Sequence, residues 1–467
     1  MFVLIARQCL LRYFLVVFLV VFVIIMIIGF SIFTTEDHEV FINEPILHDE
    51  PDHHEAGAAD AIKESIKHPI IMWWSKFTGQ KYEERVCGDV TCVFTEDRHY
   101  KNHPNTKVFM FYGSDFNVND LPLPRKPHHE WALFHEESPK NNYLFSHADI
   151  MTMFNHTCTF KRESDYSITT QHLPTLDWLE DTQYLLSTGT KNSYLDELAP
   201  IMYVHSDCDT PSDRDTYISL LQKYIKVDSY GTCLHNKDLP QHLIDPIKGM
   251  LHKDFLNLVA RYKFAFSMEN GICDDYITEK LWRPLMVGTV PVVLGSSKVQ
   301  DFLPAHKSAI LINEFKTVED LAKQLLFLNS NDAEYEQYLR WKKTGVTNKY
   351  LKKVMRDREW EAPLDGLPSD GGINFIEGFE CFVCKRTHEN LRLLKEGKPQ
   401  KLFQASLEHY GCPMPVRFNS LGQRVDSSDW AHEWHEKQKI AKALRYYIDR
   451  GKNFTLKELH EFKYTPD

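Results

Sequence analysis

Short apolar runs alternate with polar segments along most of residues 69–365. The runs predicted to be strands are Ile70–Trp74, Lys107–Tyr112, Trp131–His135, Pro200–His205, Val227–Tyr230, Phe264–Met268, Val290–Leu294 and Ser308–Ile312. The segments predicted to be helices are Asp215–Tyr224, Leu251–Tyr262, Tyr276–Met286 and Val318–Leu328. Strands that alternate with helices indicate an α/β fold with parallel, Rossmann-like sheets.

Residues 263–295 give the most complete pattern, which is strand, turn, helix and strand. The first strand is followed by a polar segment from Glu269 to Asp275, which has the composition of a loop. Asp274 or Asp275 is predicted to cap the following helix, because short acidic side chains accept hydrogen bonds from the free N–H groups at a helix start.

The start of this helix is a candidate phosphate site. Tyr276, Glu279 and Lys280 are spaced i, i+3 and i+4, so they are predicted to share one helix face. A helix N-terminus attracts phosphate, and Lys280 would add a full positive charge for a diphosphate. Glu279 could accept hydrogen bonds from ribose hydroxyls, and Asn270 can both donate and accept. Spacing alone favours the alternative, an ordinary surface Glu–Lys pair.

The N-terminal region carries a predicted membrane anchor. Residues 14–33, from Phe14 to Phe33, are almost wholly apolar and long enough to span a bilayer. Arg7 and Arg12 precede this span and acidic residues follow it, which predicts a cytosolic tail over residues 1–13 and a type II orientation. Residues 34–68 are acidic, with few aromatic residues, and are predicted to be a stem. A buried core helix is the alternative, but it would require amphipathic flanks.

The globular part is predicted to comprise an N-terminal domain over residues 69–197 and a second domain over residues 198–365. A single charged helix is predicted over residues 334–360. The C-terminal extension, residues 366–467, contains a Cys-x-x-Cys sequence and a predicted amphipathic helix over Ala431–Arg450.

Composition and short motifs exclude some functions. The net charge of -11 and the lack of a long basic run give no support for nucleic-acid binding. His128 and His129 invite a metal interpretation, but no set of three or four ligands accompanies them. Asp207-Cys208-Asp209 has the form of an Asp-x-Asp metal motif, although it lies in a Cys-bearing loop. Asn155 and Asn453 begin N-glycosylation sequons, each of which could also be a chance match.

Cysteine usage favours an oxidising compartment. Cys9 lies near the anchor, and nine cysteines remain in the rest of the chain. The Cys-x-x-Cys at Cys381 and Cys384 could by itself bind zinc or serve redox chemistry, but disulfides are favoured in a lumen. Because nine is odd, at least one thiol is predicted to be free or to pair with another chain.

The residue string within residues 263–295 resembles the donor-binding signature of the α-1,3-fucosyltransferase family. The matching segments are Glu269-Asn270, Asp275-Tyr276-Ile277-Thr278-Glu279-Lys280-Leu281-Trp282-Arg283-Pro284 and Val290-Pro291-Val292. Trp73-Trp74-Ser75, Leu121 to Lys126, Phe134 to Tyr143 and Ser206-Asp207-Cys208 resemble the 10/11 subgroup of that family. The resemblance extends from about Pro69 to Cys384, and the C-terminal extension also fits the subgroup.

The resemblance implies a GT-B fold, in which two Rossmann-like domains face a cleft and the C-terminal one binds GDP-fucose. Glu137, in Glu137-Ser138-Pro139, matches the family's catalytic carboxylate and would be the general base, with Glu136 the weaker candidate. By sequence alone both would be solvated loop charges. Arg214 fits the family's phosphate-contacting arginine and would stabilise the leaving diphosphate with Lys280, without a metal.

The resemblance also implies disulfides that join Cys87 and Cys92 to Cys381 and Cys384, in an order that the sequence leaves open. His128 and His129 are interpreted as lining the acceptor side or as structural. Together with the anchor, these features predict a lumenal enzyme of the endoplasmic reticulum or Golgi.

The acceptor is less firmly indicated than the donor. The 10/11 subgroup is associated with O-fucosylation of cysteine-rich EMI domains, whereas conventional members attach α-1,3-fucose to N-acetylglucosamine in glycans. A lectin that binds the nucleotide sugar without turnover, a scaffold of secretory maturation and a transferase for another nucleotide sugar are the alternatives. The lectin ranks lower because Glu137, Arg214 and Lys280 are all present.

Overall fold

The computed structural model describes residues 66–245, 249, 251–362, 372–426 and 429–462. These residues belong to one compact unit, Ser65–Asp467. The predicted tail and anchor, and the predicted stem as far as residue 65, lie outside the described residues. Within the described part of the chain, no helix is long and apolar enough to cross a membrane.

The first sheet is almost wholly parallel. Its strands are β1 (Ile70–Trp73), β2 (Glu83–Cys87), β3 (Val90–Thr95), β4 (Thr106–Tyr112), β5 (Glu130–His135), β6 (His156–Thr159) and β7 (Tyr166–Ser167). They lie in the order β2-β3-β1-β4-β5-β6-β7, and only the β2–β3 pair is antiparallel among the pairings described. The central strands are buried on both faces, which explains why they are continuous apolar runs in the sequence.

The second sheet is parallel throughout its described pairings. It consists of β8 (Ile201–Tyr203), β9 (Val227–Ser229), β10 (Phe264–Met268), β11 (Val290–Leu294) and β12 (Ile310–Leu311), in the order β12-β11-β10-β8-β9. A small antiparallel pair, β13 (Val416–Phe418) and β14 (Arg424–Asp426), follows in the C-terminal extension. The α/β prediction with two parallel sheets is therefore confirmed.

Helices connect and cover these strands. They are α1 (Ala148–Met151), α2 (Leu176–Glu180), α3 (Thr188–Ser193), α4 (Arg214–Leu221), α5 (Lys253–Ala260), α6 (Glu279–Val287), α7 (Val318–Ser330), α8 (Asp332–Gln337), α9 (Trp341–Thr344), α10 (Lys349–Asp357), α11 (Phe375–Lys395), α12 (Asp429–Asp449) and α13 (Leu456–Glu461). The helices α4, α5, α7 and α12 lie where the sequence predicted helices.

Two helix predictions were wrong. The predicted helix over residues 334–360 is broken into α8, α9 and α10, because Gly345 adopts a φ of 79° and Asn348 starts a new helix by accepting hydrogen bonds from Tyr350 N and Leu351 N. The helix after β10 begins at Glu279, and Thr278 is its N-cap, so neither Asp274 nor Asp275 caps it.

Four disulfides cross-link the described chain. Cys87 pairs with Cys381 and Cys92 pairs with Cys384, which confirms the predicted set and supplies its order. The sequence did not predict the pairs Cys208–Cys233 and Cys273–Cys412. Cys158 is the free cysteine of the described residues and is buried in β6.

Candidate active site

Two loops that follow strands of different sheets touch each other. One follows β5 and contains Glu137, Ser138 and Pro139, and the other follows β10 and contains Asn270 and Gly271. A Cβ placed on Gly271 would lie 2.9 Å from Pro139 Cγ, so glycine permits this close approach. The two stretches that carry the candidate chemistry, far apart in sequence, are therefore neighbours in the fold.

The carboxylate of Glu137 faces the second loop and the start of α6. Burial raises the pKa of Glu137, the positive charge of Lys280 opposes that rise, and the carboxylates of Glu279 and Glu269 add to it. A carboxyl group with a raised pKa that remains partly exposed is suited to accept a proton near neutral pH. This environment differs from that of a solvated loop charge.

The carboxylate of Glu136 has different surroundings, beside the first sheet. Its Oε1 accepts a hydrogen bond of 3.1 Å from the Tyr112 hydroxyl, and its Oε2 is buried without a partner among the described residues. Burial raises the pKa of Glu136 to about 7, with a smaller contribution from Glu137. The structure thus separates the two adjacent carboxylates, and only Glu137 has Lys280 as its principal charged neighbour.

The N-terminus of α6 is organised by Glu269, which follows β10. Its carboxylate accepts hydrogen bonds of 2.9 Å from Thr278 N and from Thr278 Oγ1. Lys280 Nζ lies 3.0 Å from Thr278 Oγ1, 3.4 Å from Glu269 Oε2 and 3.3 Å from Glu279 Oε1. The ammonium group is therefore held beside the helix N-terminus, in the position that the phosphate-site hypothesis requires.

Glu279 is the centre of a cluster of charges. Its carboxylate lies 3.2 Å from Arg283 Nη2 and 4.0 Å from His172 Nδ1. Burial acts to raise the pKa of Glu279, but the charges of Lys280 and Arg283 outweigh burial and lower it strongly. Glu279 is therefore an anion at neutral pH and can accept hydrogen bonds from hydroxyl groups.

Arg214, Asn270 and Lys280 all follow strands of the second sheet, at the edge where its parallel strands end. Arg214 is buried, and its Nη1 and Nη2 donate to Met268 O at 3.0 Å and Asp207 O at 2.6 Å. Its Nε has no hydrogen-bond partner within the described ranges, and the same is true of Asn270 Oδ1. Arg214 thus fixes the end of β10 to the neighbouring loop, while Asn270 retains a buried oxygen that a ligand could use.

Tyr276 does not share a helix face with Glu279 and Lys280, because it precedes α6. Its ring lies 4.9 Å from that of Phe160, and burial raises its pKa well above the usual range. The predicted i, i+3, i+4 geometry was wrong at this position, since the helix starts three residues later than expected.

His128 and His129 lie at the opposite end of β5 from Glu137. A six-residue strand rises roughly 20 Å, so these rings are far from Glu137. His129 is buried between Phe109 and His128, and burial lowers its pKa to about 4. The acceptor-side interpretation is therefore not supported by position, and the structural interpretation fits the packing.

The two sequons differ in their surroundings. Asn155 Oδ1 accepts hydrogen bonds from Arg125 and Trp131, and its Nδ2 donates to Phe403 O at 2.9 Å. A glycan on Nδ2 would leave one N–H that can still donate to Phe403 O, so glycosylation of Asn155 stays a prediction. Asn453 is exposed just before α13, and its glycosylation stays a prediction.

Three groups of side chains in the described part of the chain could be considered as metal ligands. Two of them, Cys92, Cys384 and His388, and Cys208, Asp215 and Cys233, contain cysteines that are already in disulfides. In the third, His242 Nε2 lies 2.9 Å from Asp254 Oδ2, with His252 nearby, on an exposed surface. The Asp-x-Asp residues are otherwise engaged, because Asp207 pairs with Lys140 and Asp209 accepts from Trp430 Nε1 at 3.4 Å.

Sequence reasoning missed several residues of this site. Glu269, His172 and Arg283 surround Lys280 and Glu279, and Tyr410 of the C-terminal extension donates a hydrogen bond to Glu137 O. The Glu269-Asn270 pair and the Arg283 position stood within the quoted signature and could have been found there. His172 and Tyr410 lie in segments without a motif, so only the fold reveals them.

Comparisons with known proteins identify the family to which the chain is similar. Residues 197–391 match the model of "Glycosyltransferase family 10 (fucosyltransferase) C-term", and residues 66–171 match "Fucosyltransferase, N-terminal". Proteins named GDP-fucose protein O-fucosyltransferase 3 are similar in sequence. The Xenopus laevis protein is 47% identical over 84% of this chain and 83% of its own length. The Homo sapiens protein is 45% identical over 84% of this chain and 82% of its own length.

Among solved structures, an α1,3-fucosyltransferase with GDP-fucose aligns over 70% of this chain and 92% of its own length. The identity is 15% and the TM-score is 0.36.

Proposed function

Since the chain belongs to the fucosyltransferases of glycosyltransferase family 10, we propose that it transfers L-fucose from GDP-fucose, with inversion, to a serine or threonine hydroxyl of a folded protein domain. The acceptor class follows from relatives named protein O-fucosyltransferases at 45–47% identity, and an EMI-type domain is the specific acceptor proposed. The contact between the Glu137 loop and the Asn270–Gly271 loop is the observation that carries the mechanism. Two parallel sheets are the arrangement expected of a GT-B enzyme.

The proposed reaction is a single displacement at the anomeric carbon of fucose. Glu137 removes the proton of the acceptor hydroxyl while the hydroxyl oxygen forms a bond to C1. The bond between C1 and the β-phosphate oxygen breaks on the opposite face, and GDP leaves with the electron pair. Glu137 ends the step protonated and returns that proton to water.

The leaving diphosphate would be stabilised by charge already present in the site. Lys280 and the N-terminus of α6 would face it, and Arg214, which donates to Met268 O and Asp207 O, would add positive charge. Glu279 would accept from the ribose hydroxyls, and Asn270 Oδ1 gains a partner on donor binding. Tyr276 would support this surface through its packing on Phe160. The proposed mechanism includes no metal ion, because Lys280 and Arg214 would supply the positive charge that a metal ion could otherwise provide.

We further propose that the enzyme is a type II membrane protein with its catalytic part in the lumen of the endoplasmic reticulum or Golgi. The apolar residues 14–33 and the four disulfides support this location.

The test is transfer from labelled GDP-fucose by the lumenal part, residues 66–467, to a folded EMI-type domain and to an N-acetyllactosamine glycan offered side by side. Glu137→Gln is expected to lose about 100-fold or more of kcat, because it cannot accept a proton. Glu136→Gln is the matched control, with the same change one residue away, and is expected to keep most activity. A parallel reaction with a chelator tests the metal-free mechanism.

Label on the glycan alone would change the acceptor to an N-acetylglucosamine hydroxyl. GDP-fucose binding without transfer to either acceptor would favour a lectin or scaffold. Loss of activity in Glu136→Gln but not in Glu137→Gln would show that Glu136, and not Glu137, is the general base.

A further inference from the structure

A short segment of the C-terminal extension, residues 409–412, lies against both loops of the active site. His409 O accepts a hydrogen bond of 2.6 Å from Thr159 Oγ1, at the end of β6. Cys412 is bonded to Cys273, within the loop between β10 and α6. This segment is therefore attached covalently to the donor-side loop and by hydrogen bonds to the first sheet.

Tyr410 is the centre of this segment. It is fully buried, and its hydroxyl donates a hydrogen bond of 3.1 Å to the backbone oxygen of Glu137. Its ring is stacked on His135 with centroids 5.0 Å apart, and it also contacts Phe160 at 5.1 Å. The ring is thus held by residues that flank Glu137 on β5 and follow β6.

The two parts of the Tyr410 side chain have separable tasks. The ring fills space between His135 and Phe160, which any aromatic ring of that size would do. The hydroxyl has as its partner the backbone of the residue proposed as the base. Because that hydrogen bond is partly buried, loss of the donor would leave the carbonyl without this partner and would loosen the loop.

We propose that Tyr410 is a positioning residue that orients Glu137, and that the C-terminal extension is thereby a working part of the active site. This inference rests on the proposed role of Glu137. The C-terminal extension would then help to position the catalytic base, which itself lies within residues 66–365.

The test compares Tyr410→Phe, which keeps the ring and removes only the hydroxyl, with the unaltered lumenal protein. Tyr446→Phe is the matched control, because its hydroxyl lies on α12 with Lys452 Nζ 3.5 Å away at the surface. Tyr410→Phe is expected to lower kcat about 10-fold, with KM for GDP-fucose within about 2-fold, since the misplaced base slows only proton removal. Tyr446→Phe is expected to leave both unchanged.

The pH dependence of kcat/KM distinguishes a positioning role of Tyr410 from a purely structural one, because a purely structural role would not shift it. The charged and titratable groups that face Glu137 are Lys280, Glu279, Glu269, Tyr276, Tyr112, Glu136 and Tyr410. Burial is the main cause of the raised pKa of Glu137. A loosened loop admits water, so the acid limb of kcat/KM is expected to move about half a unit to lower pH in Tyr410→Phe.

The outcomes separate this inference from the proposed function. Wild-type kinetics in Tyr410→Phe, with Glu137→Gln inactive, would overturn the positioning role alone. A slower enzyme with an unmoved acid limb would also overturn it, since the residue would then be only structural. Activity in Glu137→Gln would overturn the proposed base and this inference with it.

If Tyr410→Phe does not fold, as shown by loss of GDP binding in calorimetry, the double variant Cys273→Ser/Cys412→Ser replaces it. That variant keeps the Tyr410 hydroxyl but frees the segment from the donor-side loop. It is expected to show the same fall in kcat and the same shift of the acid limb, and wild-type values for both would overturn the inference.

Discussion

At the scale of single residues, environment rather than sequence position separates the functions of neighbouring groups. Glu136 and Glu137 are adjacent and chemically identical. Glu136 accepts from the Tyr112 hydroxyl beside the first sheet, whereas Glu137 faces Lys280. One carboxylate is therefore held beside the first sheet, while the other is influenced mainly by the charges at the start of α6.

Glu136 is expected to make stability depend on pH. Its pKa is about 7 in the folded protein because of burial, against 4.5 ordinarily, so the folded state holds a proton that the unfolded chain releases between those values. The stabilisation of the folded state by protonated Glu136 is therefore complete at low pH and is lost as the pH rises through about 7. Glu136→Gln cannot ionise. Between about pH 5 and pH 8, its free energy of unfolding should therefore rise by about 2 kcal/mol relative to that of the wild type.

The measurement is thermal unfolding of both proteins across that range. An equal Tm difference at the two ends would contradict the raised pKa. Tyr112→Phe should leave the direction of the effect unchanged, because burial is its main cause.

At the scale of elements, α11 is the piece that fastens the C-terminal part of the chain to the first sheet. Cys381 and Cys384 on this helix form the disulfides to Cys87 and Cys92. Glu380, next to them, is fully buried and accepts a hydrogen bond of 2.6 Å from the Trp73 indole. Arg85 of β2 pairs with the same carboxylate.

Removal of the charge partner of Glu380 is expected to be costly. Arg85→Met would leave a buried carboxylate unpaired, for which we expect a loss of about 3 kcal/mol in the free energy of unfolding. The double variant Arg85→Met/Glu380→Gln should recover part of that loss, because no unpaired charge remains. Denaturant unfolding with the disulfides intact measures both.

Lys353→Met provides the comparison, because its pair with Asp357 has side chains that are 67% and 44% exposed, and such pairs contribute about 1 kcal/mol or less. Similar losses in Arg85→Met and Lys353→Met would show that burial of Glu380 does not matter.

At the scale of the whole molecule, the C-terminal extension is part of the main core rather than an appendage. Ala405, Tyr410, Ile440 and Leu444 belong to the same hydrophobic cluster as Phe145 of the first domain. The helix α12 packs beside α1 and the 3₁₀ helix Tyr143–Ser146, which follow the Glu137 loop. Removal of this segment would therefore expose apolar surface next to the active site.

Truncation of the lumenal protein after residue 398 is expected to give an inactive product that aggregates, not a smaller active enzyme. Exposure of that core costs about 25 cal/mol for each Å² of apolar surface, and Cys273 is left unpaired. Truncation after residue 462, which removes only residues 463–467, is the control. A soluble, active protein ending at 398 would contradict the role of the extension in the core.

The sequence by itself determined the strand and helix alternation, the family resemblance and some of the candidate site residues, but not His172 or Tyr410. Apolar runs such as Phe264–Met268 are buried on both faces, so their local composition carries the information. Glu137, Asn270 and Lys280 lie in the short motifs that resemble the family, and each such motif consists of residues that are neighbours in the sequence.

Only the tertiary structure decided which of these residues meet and how. The contact of Gly271 with Pro139 and the hydrogen bond from Tyr410 to Glu137 O join segments far apart in the chain. Thr278, rather than Asp274 or Asp275, is the N-cap of α6. Glu269, which follows β10, holds Thr278 in place by accepting hydrogen bonds from its N–H and its hydroxyl. Such contacts depend on the packing of whole elements, which local propensity and pattern do not encode.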